Sequence, residues 1–119
     1  MPVSIECRLV SDVVVVDISG RLCFLEVSLL RQINELLEQK HHNFVLNLTH
    51  VPYIDSFGLG QLVTIWTSIR SRDGQLILLR PTDHVRELLK LSKLDSIFQV
   101  SIEEAEAVRS ARTSFAALA

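Results

Sequence analysis

Apolar residues fall along the chain in short runs whose spacing changes from one run to the next. Ile5 to Val10 and Val13 to Ser19 are β-rich and meet at Ser11 and Asp12, two turn-favouring residues, so an antiparallel hairpin is predicted at the N-terminus. The unbroken series Val13, Val14, Val15, Val16 has no polar alternation, which predicts a strand covered on both faces in the middle of a sheet, ended by Gly20. From Glu26 to Lys40 the spacing becomes helical. Leu29, Leu30, Ile33, Leu36 and Leu37 share one face, and Arg31, Gln32, Glu35, Glu38 and Gln39 share the other. His41, His42 and Asn43 end that helix, and Phe44 to Leu48 read as a strand leading into a loop from Thr49 to Asp55 that contains Pro52.

A second helix is predicted after that loop, with Leu59, Leu62, Val63, Trp66 and Ile69 as its buried stripe and Trp66 in the core. Arg72, Asp73 and Gly74 stop it. Gln75 to Leu79 form the next strand, and Pro81 and Thr82 open a third helix with Val85, Leu88 and Leu89 on one face. Ile97 to Val100 form a short last strand. The alanine-rich stretch from Ile102 reads as a helix whose last residues fray, since Phe115 alone is patterned after Ala111. Strand, helix, strand, helix, strand requires right-handed crossovers and hence parallel pairing. The expected fold class is therefore α/β: a single mixed sheet, mostly parallel with an N-terminal antiparallel hairpin, flanked by about four helices.

Composition narrows the function. The 119 residues suit one domain, 1–119, with its core at about 3–108, and 48% hydrophobic against 22% charged residues suits a folded chain. A formal net charge of −2 gives little electrostatic support for binding nucleic acid or an anionic membrane, which leaves a protein as the expected partner. No apolar run approaches the roughly 18 residues of a membrane helix. The N-terminus does not read as a secretory leader, and with only Cys7 and Cys23 the chain reads as cytoplasmic.

In open α/β sheets functional groups gather in the loops leaving the carboxyl ends of strands, where helix N-termini also point. Here that rule selects Gly20 to Leu25, Thr49 to Gly60 and Arg80 to Asp83. The middle loop is the most informative. Ser56 stands where a helix begins and could cap it, as Asp55 could equally well. Two capping residues followed by Gly58 and Gly60, which lower helix propensity in the first turn, exceed what capping needs; the glycines would let another backbone approach closely.

The passage Val45 to Gly60, VLNLTHVPYIDSFGLG, resembles the signature of the STAS domain, the family of bacterial anti-sigma factor antagonists. The earlier VVVVDISGRL resembles that family's strand and turn before its first helix, and the order of elements agrees from about Val3 to Val108. The resemblance implies a STAS-like fold and a phosphorylation site at Ser56, directly after the loop aspartate. It further implies a partner: an anti-sigma factor, often a serine kinase of the histidine-kinase-like ATPase fold, that binds the unphosphorylated domain and releases its sigma factor. Phosphorylation ends the association, and a PP2C-type phosphatase restores it. Two positions depart from the pattern. Cys23 follows Gly20, Arg21 and Leu22 where many members carry an acidic residue, and Phe57 stands where a small residue is common.

Other readings carry less. A serine hydrolase would want glycine two positions before Ser56, where Ile54 stands, and the spacing assigns neither His50 nor His84 as a base. No His or Cys spacing matches a zinc site, no phosphate-binding glycine loop is present, and no cofactor is expected. Cys23 reads as a small, partly buried residue rather than a redox sensor. Of Phe24, Tyr53 and Phe57, whose default is to pack inward over the helix ends, at least one is expected to touch the partner, because interfaces concentrate aromatics. Arg21 and Arg80 are weaker candidates at the same rim. The expected partner surface is thus Asp55, Ser56, Phe57, Gly58, Gly60, Arg21, Cys23, Phe24 and Tyr53. The alternative within the same fold is a STAS scaffold, a transport accessory or a nucleotide-sensing module in which Ser56 is only a cap.

Overall fold

The computed structural model describes residues 3–23 and 26–112. Strand β1 (Ser4–Val10) and strand β2 (Val13–Ser19) form the predicted hairpin, pairing antiparallel from Val10 with Val13 to Ser4 with Ser19. Ser11 and Asp12 both take positive φ, 49° and 69°, as the tight turns that match strand twist require. Helix α1 (Ser28–Glu38), strand β3 (Asn43–His50), helix α2 (Ser56–Arg70), strand β4 (Gln75–Leu79), helix α3 (Asp83–Leu91), strand β5 (Gln99–Ser101) and helix α4 (Glu104–Arg112) follow. The five strands lie in chain order, β1-β2-β3-β4-β5, and every pair after the first is parallel.

The valine run explains how the layers assemble. Val13, Val14, Val15 and Val16 are each at most 3% exposed, because successive side chains enter opposite layers. Val14 and Val16 join Leu29 and Ile33 of α1, Leu62 and Ile65 of α2 and Val85 of α3 in the larger core. Val13 and Val15 join Val45, Ile77 and Leu79 beneath Ala107, Val108 and Ala111 of α4. Three helices thus cover one face of the sheet and the single helix α4 covers the other.

An ion cluster fastens α4. Arg8 of β1 donates through Nε to Asp17 of β2 at 2.6 Å and through its terminal nitrogens to both carboxylate oxygens of Glu104, at 2.5 and 3.0 Å. Asn47 of β3 donates to the same Asp17 at 2.8 Å. Arg8 hydrogen bonds hold the Asp17 and Glu104 carboxyls below their ordinary pKa values, with Asn47 assisting at Asp17.

Several boundaries shift. β3 runs to His50 where a loop was expected from Thr49, β5 lies at Gln99–Ser101 rather than from Ile97, and α1 begins two residues after Glu26. The larger correction concerns α2. Its buried residues are Gly58, Gln61, Leu62, Ile65 and Ile69; of the expected stripe Leu62 and Ile69 are buried as read, while Leu59, Val63 and Trp66 are half-buried and pack against the margin of the same core. Apolar residues lie nearly all round this helix, so periodicity alone leaves its rotation open, and close seating of Gly58 decides it. The tail beyond Arg112, with Phe115 and the expected fraying, lies outside the described residues.

Candidate functional site

The loops after β2 and β3 continue the sheet beyond its strands. The Gly20 N–H donates to the His50 carbonyl at 3.0 Å, the Leu22 N–H to the Tyr53 carbonyl at 3.1 Å, and the Asp55 N–H back to the Leu22 carbonyl at 3.2 Å. Leu22 and Ile54 form a parallel bridge, and both are buried. Gly20 takes a φ of 111°, which an L side chain rarely adopts, so the chain can leave β2 and fall into this second pairing. The third loop joins through its helix: Thr82 Oγ1 donates to the Val51 carbonyl at 2.9 Å, and His84 Nε2 lies 3.1 Å from the Ile54 carbonyl. All three predicted rim loops are therefore tied at one edge.

At that edge α2 begins. Asp55 is its N-cap, with extended backbone and Oδ1 accepting from the Gly58 N–H at 2.9 Å. Ser56 is the first helical residue; it is exposed, and its hydroxyl takes no part in the cap. The sequence offered both residues for capping, and the fold assigns the task to Asp55.

The two glycines prove unlike. A Cβ on Gly58 would stand 2.2 Å from the Leu22 carbonyl oxygen, so the close backbone approach expected of it occurs within this chain. A Cβ on Gly60 would meet nothing within 4 Å, and Gly60 is exposed. Phe57, Tyr53 and Cys23 are half-buried, and Arg21 is exposed. Phe24 lies outside the described residues. Arg80 turns toward β5, its Nε donating to the Ile102 carbonyl at 2.8 Å.

Two neighbours of this edge carry no motif in the sequence. Gln61, one turn along α2 and 5% exposed, donates through Nε2 to the Glu26 carbonyl, which ties the entry of α1 to α2; its Oε1 has no partner among the described residues. The Glu26 carboxylate accepts from the Ser28 hydroxyl and N–H, which lowers its pKa. His84 stacks on Tyr53, with centroids 4.9 Å apart, and the Arg21 guanidinium lies 4.8 Å from the same ring centre. Tertiary proximity alone brings these three together. Among the described residues no group of three or more His, Cys, Asp or Glu is placed to hold a metal ion, and no helix is long and apolar enough to cross a membrane.

This arrangement can be set beside known proteins. A Thermotoga maritima protein provisionally named an anti-sigma factor antagonist is 32% identical over 107 residues, 88% of this chain and 95% of that one. A crystal structure of a T. maritima protein with the same provisional name superposes with a TM-score of 0.83 at 31% identity, covering 91% of this chain and 94% of that one. The Bacillus cell fate determinant SpoIIAA, solved in its phosphorylated form, shares the fold with a TM-score of 0.70 at 23% identity, over 90% of this chain and 99% of that one. The STAS domain model matches residues 4–107. With the five-stranded mixed sheet and four helices described above, that match makes this chain a member of the STAS domain family.

Proposed function

We propose that the chain is an anti-sigma factor antagonist that docks an anti-sigma factor on the rim formed by the loops after β2 and β3 and the first turns of α2, and that phosphorylation of Ser56 ends the association. One observation carries the reading. Asp55 takes the cap, so the Ser56 hydroxyl stands exposed at the first position of α2 without being needed for the helix. A residue in that place can be modified at little cost to the fold. The open face at Gly60, one turn further, gives a partner backbone room to approach. The half-buried Phe57 and Tyr53 supply apolar area at the same edge.

The electrostatics give the switch its direction. A phosphate on Ser56 would bring roughly −1.5 to −2 charges at pH 7, next in sequence to the half-buried Asp55. Inside this domain the positive end of α2 favours that charge. Across an interface the phosphate would have to lose its water, and its bulk would fill the approach to Gly60. Modification therefore weakens docking more than folding. The kinase in this reading is the anti-sigma factor itself, of the histidine-kinase-like ATPase fold, a PP2C-type phosphatase reverses the step, and the exchange takes place in the cytoplasm. In this reading the domain acts by binding and not by catalysis, since Ile54 stands where a nucleophile elbow would want glycine.

Partner capture on wild type, Ser56→Ala and Ser56→Asp, with mass spectrometry of the retained proteins, tests this. Wild type and Ser56→Ala are expected to hold an anti-sigma factor that Ser56→Asp does not. Equal retention by all three would make Ser56 structural and the domain a constitutive binding module.

A further inference from the structure

The Arg21, Tyr53 and His84 side chains come from the three rim loops and their helices, and they meet as one stack. Tyr53 is half-buried, while Arg21 and His84 are exposed. The guanidinium carbon lies 4.8 Å from the Tyr53 ring centre, and the imidazole lies 4.9 Å from it with the ring planes 26° apart. Because a carbonyl oxygen only accepts, the 3.1 Å contact with Ile54 places a proton on His84 Nε2 and holds the ring that stacks on Tyr53. The imidazole of the aromatic pair is thus anchored to the loop, and the guanidinium lies over the Tyr53 ring.

An arginine held in this way keeps its charge and its planar fork of donors but loses much of its freedom to wander in solvent. Both carboxylates of the Arg8 cluster, Asp17 and Glu104, are committed to Arg8, and no ion pair between Arg21 and a carboxylate is found among the described residues. Residues 20–23 are Gly, Arg, Leu and Cys, which makes Arg21 the one charge of that loop. A lone, oriented guanidinium beside the docking edge complements an anion, and the planar anion that a protein surface supplies is a carboxylate.

We propose that Arg21, oriented by Tyr53 and His84, receives an aspartate or glutamate side chain of the protein that docks on this rim. The inference rests on the docking reading above and adds the sign of the charge that a partner must present. An acidic patch fits. A basic patch at the same place is repelled, so the stack also selects among related partners.

Two arms test it. In the first, the labelled full chain is titrated with a short glycine–glutamate peptide and with its glycine–glutamine counterpart, followed by NMR. The glutamate peptide is expected to shift the Arg21 Nε–H and the Tyr53 and His84 ring signals, more weakly at high salt and not at all in Arg21→Gln. Equal shifts from both peptides, or shifts that survive Arg21→Gln, would overturn the proposal. In the second arm, the anti-sigma factor retained by wild type is titrated with Arg21→Glu, whose fold is checked by circular dichroism, and with Ser56→Asp. At least a tenfold loss of affinity is expected for Arg21→Glu. If Arg21→Glu binds as wild type while Ser56→Asp does not, the charge receptor is wrong and the switch stands. If the glutamate peptide is selected through Arg21 but Ser56→Asp binds its partner as wild type does, the receptor stands and the switch fails.

Discussion

Asp55, Ser56, Gly58 and Gly60 form one short stretch in which neighbouring residues have opposite duties. Gly58 lies under the Leu22 carbonyl, 2.2 Å from where a Cβ would be, so Gly58→Ala forces backbone apart at the crossing of two rim loops. A cost of about 1–3 kcal/mol is expected, read as a lowered urea midpoint. Gly60→Ala meets nothing and replaces glycine inside a helix, so it should raise stability by about 0.5–1 kcal/mol. If the partner backbone approaches there, the same variant weakens docking, and stability and binding move in opposite directions. The sequence displayed this stretch clearly as Asp55, Ser56, Phe57, Gly58, Leu59, Gly60. What it could not display was the division of labour, since either side chain can cap and either glycine can admit a backbone. The Arg21, Tyr53 and His84 stack was less legible still, because nothing in the spacing of those residues marks them as neighbours.

Among the elements, β1 and α4 are the most dependent on a few polar contacts. β1 is an edge strand, largely exposed, and Arg8 links it through Asp17 to β2 and through Glu104 to α4. Both carboxyls have folded pKa values below their unfolded ones, so their contribution is full above about pH 5 and is lost as pH falls through the unfolded and then the lowered values. The three groups are each about a third exposed or more, so solvent screening limits the linkage to about 1 kcal/mol per pair. Denaturation of Arg8→Ala against wild type should show a steady deficit from pH 5 to 8 that narrows below pH 4 and in 1 M salt. Helix α1 was readable because its apolar period fits one geometry, and the β1–β2 hairpin because two β-rich runs meet at the turn-favouring Ser11 and Asp12. The face of α2 was not, because Leu59, Leu62, Val63, Ile65, Trp66 and Ile69 satisfy several rotations. There the choice belongs to Gly58 and its contact with Leu22.

At the scale of the whole molecule, the sheet is covered unequally. Ala107, Val108 and Ala111 of the nine-residue α4 close the face formed by Val13, Val15, Val45, Ile77 and Leu79. Ala107→Asp would bury a carboxylate against that face and should cost more than about 3 kcal/mol, whereas Ala105→Asp, exposed on the same helix, should change the urea midpoint by less than about 0.5 kcal/mol in equivalent stability. The site lies at the carboxyl ends of β2 and β3 and at the start of α2, so it leans on the three-helix side and is insulated from α4. The strands also stand side by side in the order in which they are synthesised. As the chain leaves the ribosome, each new strand can add to an edge already present, and the rim from Gly20 to His84 is assembled once α3 has emerged. The valine face must wait for the segment after residue 103. A nascent chain paused at that point carries a finished recognition edge above an uncovered apolar sheet, and it is in this interval that a chaperone has most to protect.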